Sequence, residues 1–218
     1  MVSDVEVQFP FELDEIVRPY FTGAKGSHAW DHTLRVSRLC AHIGPLEDTD
    51  MTVLLCAACL HDIGRYKQDE TEGELCHAEE GTEMAKPIVE KLSLTDRQRE
   101  NVLHAIATHR FRKGCAPTTI EAKILFDADK LDAIGAIGVA RAFLFAGEIG
   151  ARLHNPEMDL SKTESYTRED TGYREYKVKL IHIKDRMLTT EGKRIAQKRH
   201  EFMEAFFEQL QAEYEGKR

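Results

Sequence analysis

The sequence has no run near the roughly 18 apolar residues of a membrane-spanning helix, and its start, MVSDVEVQFP, lacks the basic-then-apolar pattern of an export signal. These two absences lead to the expectation of a cytoplasmic protein with no membrane partner. Alternating Val, Ile and Thr runs of the strand kind are also missing, which argues against a β or α/β fold. Positive charge is short: 30 Lys and Arg against 38 Asp and Glu leave a net charge of -8. That balance excludes the basic footprint needed to hold long nucleic acid by its phosphates, while leaving room for a small anion at a locally positive site. Cysteine is sparse and odd in number, five in 218 residues, so a disulfide framework is not expected and a reducing compartment suits the chain. Cys56 and Cys59 form a CxxC inside the apolar run 51–60, with no second cysteine pair to complete a zinc site, and are read as packing residues. Glycine-rich phosphate loops of the Walker type and a GxSxG nucleophile are absent as well.

What is present is helical periodicity. Apolar residues recur at three- and four-residue steps, predicting an all-α chain with helices over 11–21, 29–43, 50–62, 77–91, 96–109, 118–130, 132–147, 174–188 and 190–213. Thr95 with Gln98 fits a capping box, Gly44-Pro45 should stop the second helix, Gly64 should close the third, and Pro87 should kink or split the fourth. A chain of this length is read as one domain, 1–218. Between 147 and 173 the sequence turns polar and is broken by Gly150, Pro156 and Gly172, the pattern of a long loop or lid. The helices after 174 are expected to pack on the core, the last one using Ile195, Phe202 and Phe206 to dock on the body or on a second copy in a homodimer.

Polar groups embedded in apolar stretches carry the chemistry. In WDHTLRV, His32 shares a helical stripe with Val36, Leu39 and Ile43, which turns its imidazole inward. LCAACLHDIGR delivers adjacent His61 and Asp62 at the end of an apolar helix, and burying both without a partner is costly. A third segment, IEAKILFDADKLDAIGAIG, places Asp127, Asp129 and Asp132 among apolar residues. Two imidazoles and two carboxylates from three helices form a mixed N/O donor set suited to Mn²⁺, Fe²⁺, Co²⁺, Ni²⁺, Zn²⁺ or, less well, Mg²⁺.

His32, then His61-Asp62, then an aspartate on an all-helical chain resembles the HD superfamily of metal-dependent phosphohydrolases. The phrases HTLRV, LHDIGR, HAEEG, ATHRF and FDADKLDAIGAIGVAR are similar to the small bacterial stand-alone HD-domain hydrolases, some of them nucleotide pyrophosphohydrolases, and the likeness spans about 28–145. It implies a helical bundle with the metal site between central helices, and one divalent cation, manganese favoured, on His32, His61, Asp62 and Asp129. Asp127 is the rival for the last place. The two lie two apart on a helix and cannot point the same way, and the ADK match selects Asp129. The doubled His and GYP signature of the cyclic-dinucleotide hydrolases is absent, which favours one metal over two.

The same resemblance marks His77 and His109 as catalytic or phosphate-binding residues, although two-metal relatives use histidines at similar places for a further ion. Lys130 and Arg65, and beyond them Lys67, Arg110 and Arg112, offer positive charge to a phosphate. Relatives carry SHDW before the first ligand where this chain has Ser27-His28-Ala29-Trp30 and then Asp31, so His28 is a candidate substrate contact and Asp31 a candidate replacement for the missing carboxylate. Glu72, Glu74, Glu79 and Glu80 are candidate general bases that the sequence does not separate. His104 lies about 140° around the helix from His109 and is not expected at the same site. The implied activity is metal-dependent cleavage of a small phosphorylated substrate, a nucleoside triphosphate to monophosphate and pyrophosphate. Phosphomonoesterase or cyclic-nucleotide phosphodiesterase activity is the alternative, with a di-iron oxygenase or a non-catalytic nucleotide-binding module further off.

Overall fold

The computed structural model describes residues 7–22, 30–70, 76–110 and 116–217, and every regular element among them is helical. None of these helices is long and apolar enough to cross a membrane. The chain divides into two compact units: Met1–Asp129 with Leu188–Glu191, and Lys130–Met187 with Gly192–Arg218.

The first unit holds α1 (Leu13–Val17), α2 (Trp30–Ile43), α3 (Met51–Leu60), α4 (Arg65–Glu70), α5 (His77–Val89), α6 (Asp96–Thr108) and most of α7 (Ile120–Leu131). Its centre is α3. This helix is apolar on nearly every face, as a fully surrounded helix must be, with Leu54, Cys56, Ala57, Ala58, Cys59 and Leu60 all without exposure. It packs against α2 and α6, and α6 packs against α5. Asp50 caps α3 by accepting from the backbone N–H groups of Thr52 and Val53 at 3.0 and 3.2 Å. The expected capping box opens α6: Gln98 N–H donates to Thr95 Oγ1 at 3.3 Å and Thr95 N–H to Gln98 Oε1 at 3.0 Å. A 3₁₀ turn at Gly44–Leu46 ends α2 as Gly44-Pro45 predicts. Cys56 is a buried packing residue whose thiol burial pushes up to about 12.

Several boundaries differ from the sequence reading. The segment 11–21 is only a five-residue helix between two 3₁₀ turns, because Phe11 and Glu12 adopt positive φ and prolines head both turns. α3 stops at Leu60, so His61 and Asp62 lie in the turn that follows it, and polar α4, which carries no apolar stripe, was not foreseen. Pro87 does not split α5: it sits in the final turn, where the bond its missing N–H forfeits matters least, and the helix ends two residues later. On α2 the buried stripe is His32, Thr33, Val36, Ser37, Cys40 and Ile43; Leu39 is half-buried.

In the second unit, α8 (Gly135–Glu148), α9 (Gly172–Val178) and all but the first two residues of α10 (Thr190–Tyr214) share an aromatic cluster in which Tyr176 stacks on Phe207 at 4.4 Å and Phe143 meets Phe206 at 6.0 Å. The expected helix 174–188 breaks after Val178 and resumes as a 3₁₀ helix, Leu180–Arg186. On α10 the inward stripe is Gly192, Ala196, His200, Met203 and Phe207, one residue round from the predicted Ile195, Phe202 and Phe206; Phe202 is 47% exposed. Small and polar residues at the inward positions hid that face from a hydropathy reading. The stretch between α8 and α9 contains only one short 3₁₀ turn, as a loop should, yet it is cross-bonded. Thr171 Oγ1–H donates to Asn155 Oδ1 at 2.5 Å, Asn155 to Glu169 O at 2.9 Å, and Arg174 to Asp170 at 2.7 Å and Thr163 O at 3.1 Å.

Candidate metal centre

Four segments of the first unit bring their polar ends together. α2 contributes His32, 1% exposed; the turn after α3 contributes His61 and Asp62, 0 and 4%; α5 opens on His77, 3%; and His109 follows α6, 1%. The inward stripe that carries His109 is Val102, Ala105 and Ile106, all fully buried as the periodicity predicts. The turn bearing His61 and Asp62 can meet α5 because Gly64 has no side chain: a Cβ there would stand 2.5 Å from Gly81 N and 2.6 Å from His77 O. Close backbone contact at this glycine is what places His77 against Asp62.

The donor atoms form two groups that share Asp62. On one side His32 Nε2 is 3.4 Å from His61 Nε2, 3.4 Å from Asp129 Oδ1 and 3.6 Å from Asp62 Oδ2, with His61 Nε2 3.9 Å from that same oxygen. On the other, His77 Nε2 is 3.2 Å from Asp62 Oδ1 and 3.2 Å from His109 Nε2. Ligand atoms bound about 2.1 Å from a tetrahedral ion stand about 3.4 Å apart, the separation of His32 Nε2 from both His61 Nε2 and Asp129 Oδ1, and these three ligand atoms all lie within 4.8 Å of one another. His61 supports this further, because its Nδ1–H donates to Ala58 O at 2.8 Å, leaving the Nε2 lone pair for a ligand. The residues therefore fit a divalent cation.

Electrostatics favour the ligand forms. Burial opposes ionisation of Asp62, but His61, His77, His32 and His109 around it hold its carboxyl far below the ordinary carboxylate range. His77 is pushed down to about 2, first by burial, against the pull of Asp62, and further by His109, Arg110 and Arg65. His109 falls to about 4, again chiefly by burial and then by His61, with Asp129 and Asp62 opposing. Both rings are neutral at pH 7.

Of the two aspartates in DAD, only Asp129 reaches His32. Asp127, fully buried, accepts instead from Leu188 N–H at 2.9 Å and from Thr189 N–H and Oγ1–H at 2.8 and 2.7 Å, tying α7 to the start of α10. Asp132 pairs with Arg141 at 2.7 Å.

This arrangement can be set beside known proteins. Residues 29–134 match the HD domain. The Bacillus subtilis (strain 168) protein YpgQ, itself uncharacterized, is 34% identical over 207 residues, covering 92% of this chain and 91% of YpgQ. This chain belongs to the HD-domain superfamily. Among solved structures of these hydrolases, one from Bacillus thuringiensis has a TM-score of 0.74 at 28% identity, spanning 94% of this chain and 95% of that one. The crystal structure of B. subtilis YpgQ in complex with ADP has a TM-score of 0.70 at 29% identity, spanning 92% of this chain and 97% of that one. An HD-superfamily hydrolase with a buried His/Asp centre is thus what the fold and the residues establish.

The remaining candidates are scattered. Arg110 lies against the centre, its Nη1 3.3 Å from His77 Nδ1, and Arg65 is near enough to act on the His77 ring electrostatically. Lys67 pairs with Glu80 at 2.8 Å, engaging two predicted residues with each other. Glu79 is exposed, and Asp31 is exposed and paired with Arg35. Lys130 follows Asp129 on α7 and is half-buried. His104 faces away, its Nε2 accepting from Thr118 N–H at 3.0 Å. His28, Ala29, Glu72, Glu74 and Arg112 lie outside the described residues. What sequence reasoning missed is the pairing of Arg110 with His77: a charged residue after a helix gives no signal of its partner 33 residues back.

Proposed function

We propose that this hydrolase cleaves nucleoside triphosphates to monophosphate and pyrophosphate, using one divalent cation, manganese favoured, on His32, His61, Asp62 and Asp129. The observation that carries the reading is the convergence on His32 Nε2 of His61 Nε2 and Asp129 Oδ1, each at 3.4 Å, and of Asp62 Oδ2 at 3.6 Å. The YpgQ complex with ADP supports a nucleotide as the ligand class. When bound, the cation supplies Lewis acidity, polarising a phosphoryl oxygen and acidifying water. His77 and His109 stand across Asp62 from the first donor group, where His77 can donate its Nε2–H to a phosphate oxygen and the bare Nε2 of His109 can take up a proton. Arg65, Arg110 and Lys130 supply the positive charge that holds the phosphates.

A second reading, a phosphodiester or phosphomonoester hydrolase on two cations, has one observation in its favour: Asp62, His77 and His109 form a donor triad of their own. The experiment that separates the readings offers a panel of nucleoside mono-, di-, tri- and cyclic phosphates with Mn²⁺ and assays pyrophosphate and orthophosphate. Pyrophosphate from triphosphates supports the first; orthophosphate from monophosphates, or ring opening of cyclic nucleotides, with no pyrophosphate, overturns it.

A further inference from the structure

The imidazoles around Asp62 differ in where their hydrogens sit, and the difference is traced to Arg110. A neutral imidazole carries one N–H. In His61 and His109 that hydrogen is on Nδ1, given to the carbonyls of Ala58 at 2.8 Å and Ile106 at 2.7 Å, so both rings present a bare Nε2. His77 is the reverse. Arg110 Nη1 lies 3.3 Å from its Nδ1, and a guanidinium only donates, so Nδ1 accepts and the ring's single hydrogen sits on Nε2. That hydrogen faces two acceptors at 3.2 Å each, Asp62 Oδ1 and His109 Nε2. By distance alone Asp62, His77 and His109 suit a cation; by hydrogen placement the triad is already closed.

We propose that Arg110 is a positioning residue that fixes His77 as an Nε2–H donor and thereby holds the centre to a single cation on the His32 side of Asp62. The proposal rests on the cation site read above. For His77 to ligate through Nε2 as a neutral ring, its hydrogen must move to Nδ1, where it would face an Arg110 N–H at 3.3 Å, donor against donor. Held as it is, His77 Nε2–H is instead available to an anionic oxygen that approaches Asp62.

The test titrates Mn²⁺ into the full chain and its Arg110→Met variant, counting bound ions by loss of the free-ion electron paramagnetic resonance signal. The wild type is expected to take one tight ion. Arg110→Met is expected to gain a second ion, and Arg110→Met/His77→Gln to lose it again. Two ions of similar affinity in the wild type, or one in Arg110→Met, overturns the proposal. Should Arg110→Met not fold, ¹⁵N shifts of the histidine rings in the Zn²⁺-loaded wild type decide: protonated Nε2 at His77 with protonated Nδ1 at His61 and His109 supports it, and protonated Nδ1 at His77 refutes it. Asp129→Ala separates the two claims, because an ion retained there removes the first-site reading whatever Arg110 does.

Discussion

Asp127 and Asp129 are two residues apart and chemically identical, so their alanine variants give a sharp comparison. Asp127 is fully buried and receives hydrogen bonds from Leu188 N–H, Thr189 N–H and Thr189 Oγ1–H between 2.7 and 2.9 Å. Asp127→Ala strands those donors away from water. Removing one partner from a buried, charge-assisted set costs about 3 to 5 kcal/mol, which at about 2 to 4 °C per kcal/mol for a chain of this size lowers the melting temperature by about 6 to 20 °C. Asp129 is 18% exposed at its side chain and sits among the donors around His32. Asp129→Ala is expected to change the melting temperature of the chelator-treated protein by no more than about 1 kcal/mol equivalent, while weakening cation binding by at least the roughly 10- to 100-fold typical of metal-site lesions. Calorimetry on chelated and Mn²⁺-loaded samples, with metal content measured on the folded fraction, reads both effects. A stable Asp127→Ala that has lost its metal, beside a destabilised Asp129→Ala that keeps it, refutes the reasoning.

Other outcomes follow from the same geometry. Gly64→Ala places a Cβ 2.5 Å from the backbone of Gly81 and should cost about 1 to 3 kcal/mol and impair Mn²⁺ binding, whereas Gly81→Ala, with contacts no closer than 3.5 Å, should be tolerated in thermal melts. Cys40, Cys56 and Cys59 are buried with thiols raised above the ordinary range, so at pH 8 they should resist alkylation in the native protein and react once it is unfolded, as mass spectrometry would show. Burial lowers His104 below its unfolded value, so the unfolded chain binds the extra proton first; its contribution is complete above about pH 6.5 and lost as pH falls below that. A His104→Gln variant should show a shallower fall of stability between pH 7 and 5. Mn²⁺ at about 100 times its dissociation constant should stabilise the folded chain by about 2.7 kcal/mol, an increment that chelation removes.

Much of the fold and centre was legible because the signals were local. His32 shares a buried stripe with Val36, and His61-Asp62 ends an apolar helix, so either set of polar groups had to find partners inside. Asp129 was separated from Asp127 by resemblance alone; the physical reason, Thr189 of the far segment claiming Asp127, involves a partner 62 residues away. The rotated face of α10 was hidden because Gly192 and His200 do not read as apolar and Ala196 is small. Helix α4 escaped because RYKQDE has no stripe, although its first residue is close enough to influence His77. Arg110 was only one basic residue among several until the ring hydrogens of His77, His61 and His109 could be compared.

The most direct measurement is anomalous diffraction at the manganese edge from crystals loaded with Mn²⁺ and a non-hydrolysable nucleoside triphosphate. The account predicts one peak per chain, bounded by His32 Nε2, His61 Nε2, Asp62 and Asp129, with a phosphate oxygen within hydrogen-bond reach of His77 Nε2. A peak centred on Asp62, His77 and His109 alone, or no peak beside His32, would contradict it.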